Sequence, residues 1–206
     1  MANRKLVYAH RGLSAEHAEN TMAAFRAAVE AGFNGIELDV RATHDGHVVC
    51  LHDAGIDRTT DGNGLVGDYT LDELSEFETA EGPIPTLAEV ADLPIPLNVE
   101  LKSMDAAKHA VAVLRGRADT LVSAINPSYL THFQTHVPEI PRALITLGPP
   151  DVEDLDAAAE LGCVAINVDH DFLTPEVAEM IRERGFEIGA WTVNDELDAL
   201  SLDADH

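Results

Sequence analysis

A short strand-like run that carries two carboxylates into the interior constrains this chain more than any other feature. In Ile36-Glu37-Leu38-Asp39-Val40 the residues alternate, so Ile36, Leu38 and Val40 share one face while Glu37 and Asp39 share the other. The run turns at Asp45-Gly46, a strong hairpin dipeptide, and returns through Val48-Val49-Cys50-Leu51 to His52-Asp53. A second run, Leu97-Asn98-Val99-Glu100-Leu101-Lys102, repeats the pattern with Val99 and Leu101 on one side and Glu100 and Lys102 on the other. Three inward acids repel one another and lose hydration, so they require compensation, and a bound divalent cation supplies it most economically.

The rest of the sequence places these runs in a repeating frame. Short apolar strands alternate with helical patterns, the signature of βα units around a parallel sheet. Strands are expected at Leu6 to His10, Ile36 to Thr43 with its hairpin partner Val48 to His52, Leu97 to Lys102, Leu121 to Ile125, Arg142 to Leu147, Val164 to Val168 and Ile188 to Val193. Helices are expected from Met22 toward Gly32, capped by Asn20 or Thr21, and then at Asp105 to Leu114, from Pro127, at Asp151 to Leu161, at Pro175 to Arg184 and from Asp195. Two short helices, Leu71 to Phe77 and Thr86 to Ala91, follow a loop spanning Arg58 to Asp68. Seven such units favour a TIM (β/α)8-type barrel in one domain, 1–206, with a hairpin after the second strand. No Gly-rich dinucleotide or P-loop fingerprint favours an open sheet. An eighth βα unit is missing at the C-terminal end of the sequence, through truncation or through a barrel left open at that seam.

Composition narrows the partners. The formal net charge is −24, with 37 acidic residues and only three lysines, Lys5, Lys102 and Lys108. Such a surface repels nucleic acid and anionic membranes, so neither is an expected partner. The regular apolar periodicity argues against disorder, and the charge reads as a solvated acidic surface of the kind suited to high salt. No run approaches about eighteen apolar residues and no charged-then-apolar leader opens the chain, which points to a soluble cytoplasmic protein without membrane insertion. Cys50 and Cys163 each sit in an apolar strand-like run, without metal-ligand spacing, and read as buried reduced thiols. Nothing here fixes monomer or homodimer.

In a barrel, strand C-termini converge on one mouth. His10-Arg11-Gly12 ends the first strand, Glu37 and Asp39 lie on the second, and His52 ends its hairpin partner. Glu100 and Lys102 lie on the third, Asn126 follows the fourth and Trp191 lies on the seventh. Two imidazoles, three acids, two cations and an aromatic ring in one space suit phosphoester chemistry, with carboxylates on a hard cation, cations on the phosphate and histidines moving protons.

These motifs carry a family resemblance. His10-Arg11-Gly12, Glu19-Asn20-Thr21-Met22-Ala23-Ala24-Phe25, Gly35-Ile36-Glu37-Leu38-Asp39-Val40-Arg41-Ala42-Thr43, Asp45-Gly46, His52-Asp53 and Arg58-Thr59-Thr60 resemble the glycerophosphodiester phosphodiesterases. Ile84-Pro85-Thr86-Leu87, Val99-Glu100-Leu101-Lys102, Ser123-Ala124-Ile125-Asn126-Pro127 and Trp191-Thr192-Val193-Asn194 extend the likeness, in the family's order, across residues 6 to 194. Ala18 departs from it, standing where the family usually has proline. The resemblance implies a TIM barrel that hydrolyses small-molecule glycerophosphodiesters to sn-glycerol 3-phosphate and an alcohol, using Mg2+ or Ca2+. It implies Glu37, Asp39 and Glu100 as metal ligands, His10 and His52 as the general acid/base pair, and Arg11 and Lys102 as phosphate-contacting cations. Trp191 is expected to wall the substrate pocket.

Two other readings compete. A non-catalytic phosphodiester- or metal-binding barrel, inactivated by the incomplete C-terminus, would bind without turnover. A metal-assisted carbon-acid enzyme would use Lys102 as base but would have no need of two histidines and Arg11. Asp169-His170-Asp171, after the sixth strand, has the residue types of a second metal site but is not the favoured one, and Arg58-Thr59 is read as ordering its own loop rather than touching substrate.

Overall fold

The structure, a computed structural model, describes residues 6–194. The chain opens with β1 (Tyr8–His10), α1 (Met22–Glu30), β2 (Gly35–Ala42) and β3 (Val48–Cys50). An excursion follows with a 3-10 turn (Val66–Asp68), α2 (Leu71–Leu74), the two-residue strands β4 (Glu78–Thr79) and β5 (Gly82–Pro83), and α3 (Leu87–Ala91). Regular alternation then resumes with β6 (Leu97–Leu101), α4 (Met104–Leu114), β7 (Thr120–Ala124), α5 (Pro127–His136), β8 (Arg142–Thr146) and α6 (Val152–Glu160). It closes with β9 (Ala165–Asp169), a second 3-10 turn (His170–Phe172), α7 (Pro175–Glu183) and β10 (Glu187–Trp191).

The main sheet runs β1-β2-β6-β7-β8-β9-β10 with every pair on this path parallel, and β3 pairs antiparallel with β2 alone. This is the barrel-type α/β sheet expected from seven βα units. Among the described residues the path has two ends, β1 and β10, with no ladder between them and no eighth parallel strand. The ends nonetheless approach at their C-terminal tips, where Thr192 Oγ1 lies 3.5 Å from His10 Nδ1. The helix expected from Asp195 lies outside the described residues.

The local chemistry explains the elements. Thr21, Thr86, Ser103 and Thr174 each accept a backbone N–H in the first turn of α1, α3, α4 and α7, and Pro127 and Pro175 occupy first-turn positions that need no donor. Of the two caps considered for the first helix, Thr21 is the one used. Ile36, Leu38 and Val40 on β2, with Leu97, Val99 and Leu101 on β6, are buried beneath the helices. The opposite faces point into the barrel, which leaves Glu37, Asp39 and Glu100 inside. A separate small core of Val49, Leu51, Ile56, Val66, Leu74 and Ile84 supports the excursion after β3 and so fixes the loop carrying Arg58.

Several boundaries differ from the sequence reading. β3 stops at Cys50 rather than His52, and β6 stops at Leu101, although the Lys102 amide still donates to the Val40 carbonyl at 3.1 Å. The helix at Leu71 lasts four residues because its C-terminal amides fold into a turn toward Phe77. β4 and β5 were not anticipated, being too short for periodicity to register. Both cysteines are buried and free, but Cys163 lies in the turn between α6 and β9, not in a strand.

Candidate active site

Register brings the acids together. β2 and β6 pair so that Asp39 stands opposite Glu100, while β1 sets His10 opposite Glu37. One oxygen from each of Glu37, Asp39 and Glu100 lies within 4.8 Å of the others. Burial pushes the Glu37 carboxyl well above the usual range, and Asp39 and Glu100 push it further. Burial also raises Glu100. Burial works against ionised Asp39 too, but Lys102, Asn20 and Arg11 outweigh it and hold this carboxyl below its ordinary value.

Cations already lean on this cluster. Lys102 Nζ pairs with Glu100 Oε1 and lies 3.0 Å from Asp39 Oδ1. Arg11 Nε lies 3.2 Å from Asp39 Oδ2. Asp39 Oδ1 is fully buried, with the Lys102 ammonium as its charged neighbour. A buried carboxylate oxygen met only by an ammonium, beside two more carboxylates, fits an oxygen-preferring divalent cation.

The loop after β1 folds back to meet these groups. Arg11 and Asn20 adopt φ of 57° and 54°, in the left-handed region, and Gly12 has φ 79°. Side chains seldom hold that conformation, and here two of them do so at the mouth. The turn aims the Arg11 amide at Glu37 Oε2 at 3.0 Å, and Arg11 Nη1 at Glu19 Oε1 at 2.9 Å. Asn20 clasps Asp39 twice: its Nδ2 donates to Oδ2 at 2.9 Å, and its Oδ1 accepts the Asp39 amide at 3.2 Å. His10 Nε2 lies 3.8 Å from Glu37 Oε2, and burial first, Arg11 second, lower its pKa below the usual imidazole value.

His52 follows β3, the antiparallel partner of β2, and its carbonyl accepts from Arg41 Nε. Its Nδ1 meets Asp53 Oδ1 at 2.6 Å. Arg58 Nε donates to Asp53 Oδ2 at 2.6 Å, and the two terminal nitrogens of Arg58 donate to Glu19 at 2.8 and 2.7 Å.

The seven polar candidates, His10, Arg11, Glu37, Asp39, His52, Glu100 and Lys102, therefore share one end of the barrel. Trp191 ends β10 opposite Asp169, half-buried, with an indole Nε1 that has no hydrogen-bond partner among the described residues. Asn126, following β7, is exposed and caps α5 through Oδ1. Asp169, His170 and Asp171 form a turn in which Asp169 Oδ1 accepts the Asp171 amide, beside ion pairs of 3.5 and 3.6 Å to His170.

Arg41 was not singled out from sequence. It continues the face of Glu37 and Asp39 along β2, and its Nε donates to the His52 carbonyl at 2.8 Å. The alternation that exposed the two acids carried this signal as well. Glu19 and Asn20, which could have been mere helix-start residues, instead hold Arg11 and Asp39.

Clustered carboxylates beside paired cations and two imidazoles can hold a dication and a phosphate while moving protons. Comparisons with known proteins point to phosphodiester chemistry. A model of the glycerophosphoryl diester phosphodiesterase family matches residues 10–205. The chain is 32% identical to a glycerophosphodiester phosphodiesterase of Caldanaerobacter subterraneus subsp. tengcongensis, over 93% of this chain and 86% of that protein. It is 35% identical to a putative glycerophosphodiester phosphodiesterase of Bacillus subtilis, over 96% of this chain and 90% of the relative. Among solved structures, an Oleispira antarctica phosphodiesterase in complex with the product sn-glycerol-3-phosphate superposes with TM-score 0.92 at 30% identity, covering 98% of this chain and 90% of that one. A Thermotoga maritima glycerophosphodiester phosphodiesterase superposes with TM-score 0.85 at 28% identity, covering 100% and 93%.

Proposed function

The chain belongs to the glycerophosphoryl diester phosphodiesterase family and is an enzyme of that class, and from this premise we propose that it hydrolyses small-molecule glycerophosphodiesters to sn-glycerol 3-phosphate and an alcohol with a divalent cation. The observation that carries the reading is the set of three carboxylate oxygens within 4.8 Å of one another, flanked by His10 and Arg11. Residues 1–206 act as one catalytic domain.

Glu37, Asp39 and Glu100 would hold the cation, Mg2+ or Ca2+, which when bound supplies charge neutralisation and a Lewis-acid contact to phosphate. Arg11 and Lys102 bind the phosphate oxygens, the former with a planar fork and the latter as a point charge. The attacking oxygen comes from water, or from the neighbouring glycerol hydroxyl, in which case the alcohol leaves to give a cyclic phosphate that a second attack, by water, opens to glycerol 3-phosphate. As it forms its bond to phosphorus, one of His10 and His52 takes its proton, and the other protonates the alkoxide as the scissile P–O bond breaks. The lowered pKa of His10 keeps that ring neutral, and able to accept a proton, at neutral pH. Trp191 offers a flat apolar wall to the substrate. Free, buried Cys50 and Cys163 suit a reducing cytoplasm.

The reading is tested by following glycerophosphocholine hydrolysis before and after chelation. EDTA should abolish turnover, and Mg2+ or Ca2+ should restore it. Turnover indifferent to chelation would refute the metal role. Binding without turnover in either cation would instead favour a non-catalytic barrel.

A further inference from the structure

Arginines in this fold serve two different purposes. Arg117 and Arg142 spend their donors largely on main-chain carbonyls, those of Ala91, Leu93 and Ile95 and those of Pro138, Ile140 and Leu161, and so staple the backbone. Arg58 makes no such bond. Its three donors all go to carboxylates, Asp53 and Glu19, and each of these carboxylates also holds a group of the mouth. Asp53 presents its other oxygen to His52 Nδ1, and Glu19 Oε1 also accepts from Arg11. An arginine that merely ordered its loop would have no reason to ignore the loop's own carbonyls.

Resting on the assignment of His52 to proton transfer, we propose that Arg58 is a positioning residue that fixes the His52 ring through Asp53 while bracing Arg11 through Glu19. The chain of contacts runs His52–Asp53–Arg58–Glu19–Arg11, so the proton-moving side of the mouth is tied to the phosphate-binding side. Asp53 accepts at Nδ1, which leaves the proton there and frees Nε2 for the substrate. Arg58 first, and His52 second, hold the Asp53 carboxyl well below the usual range, so it stays an acceptor throughout the working pH. Arg41 pins the backbone beneath the same ring through the His52 carbonyl. The main chain is thus held by Arg41 and the ring by Asp53, which Arg58 holds in turn.

Arg58 is 48% exposed, so its ion pairs add little to folding stability and its removal leaves the fold to report on positioning. The test pairs two readouts on the full chain with Mg2+: kcat and KM for glycerophosphocholine, and the 15N spectrum of the His52 ring, assigned by its loss in His52→Gln. The wild type should show His52 as the Nδ1–H tautomer. Arg58→Met should blur this into a tautomer mixture and lower kcat about 10- to 100-fold, with KM changed less than kcat. Arg58→Lys should recover part of both, and Asp53→Asn, which offers a donor where an acceptor stood, should invert the tautomer. Equal melting temperatures would exclude unfolding as the cause. An Arg58→Met variant with an unchanged tautomer would overturn the proposal, whether kcat fell or held. Should the wild type show no turnover, the proton-transfer reading falls, while the ring spectrum still decides whether Arg58 positions His52.

Discussion

At Glu37, burial combines with the neighbouring Asp39 and Glu100 carboxylates to favour the protonated acid. A metal ligand must lose that proton before its oxygen can bind. The sign follows directly: cation affinity should rise as pH climbs through the raised Glu37 pKa, and binding should release a proton. Calorimetric titration with Mg2+ at several pH values, in buffers of different ionisation enthalpy, measures both quantities. Glu37→Gln should weaken binding and flatten its pH dependence, whereas a pH-independent wild type would contradict the assignment of Glu37. Lys102 acts on the same cluster. By pairing with Asp39 and Glu100 it sets positive charge beside two of the three acids, and together with Asn20 and Arg11 it holds the Asp39 carboxyl below its ordinary value against burial.

The β1–α1 connection is the element on which the site turns. Gly12 sits at φ 79°, and a Cβ there would lie 2.7 Å from the carbonyl carbon and Cβ of Ala24 in α1. The close approach is held by the Leu13 amide donating to the Ala24 carbonyl at 3.0 Å. Gly12→Ala therefore meets a conformational penalty and a backbone clash together, and should cost roughly 2–4 kcal/mol in chemical denaturation. Because the same turn aims the Arg11 amide at Glu37, turnover should fall even at temperatures where the variant stays folded. A variant as stable and active as the parent would show the turn to be dispensable. The hairpin β2–β3 works at the same scale. It carries the chain back from Asp39 to His52 within one paired unit, so the carboxylates of β2 and the His52 imidazole share a rigid support. The excursion after β3, with its own small core, then delivers Arg58 to that support.

Across the whole molecule, charge outweighs every other surface property. A formal charge of −24 spread over one barrel repels itself, and screening within about 3 Å at molar ionic strength removes most of that repulsion. The melting temperature should accordingly rise between dilute buffer and molar KCl. A flat or falling curve would show that the acidic surface has no electrostatic cost, and with it the salt-adapted reading would fail. Among the described residues no helix is long and apolar enough to cross a membrane, and the acidic exterior offers little to an anionic bilayer.

The sequence by itself determined the strands of the main sheet and which face of β2 and β6 is acidic, because side chains alternate along a strand and that period is local. It determined the helix starts almost to the residue, since Thr21, Thr86, Ser103 and Thr174 satisfy first-turn amides within a few positions. Only tertiary structure decided that Asp39 meets Glu100 and His10 meets Glu37, because parallel register is set by packing of helices between the strands and not by any neighbouring residue. It alone decided the partners of Glu19, Asp53 and Arg58, whose charges look like ordinary loop solvation until the barrel folds them onto one mouth.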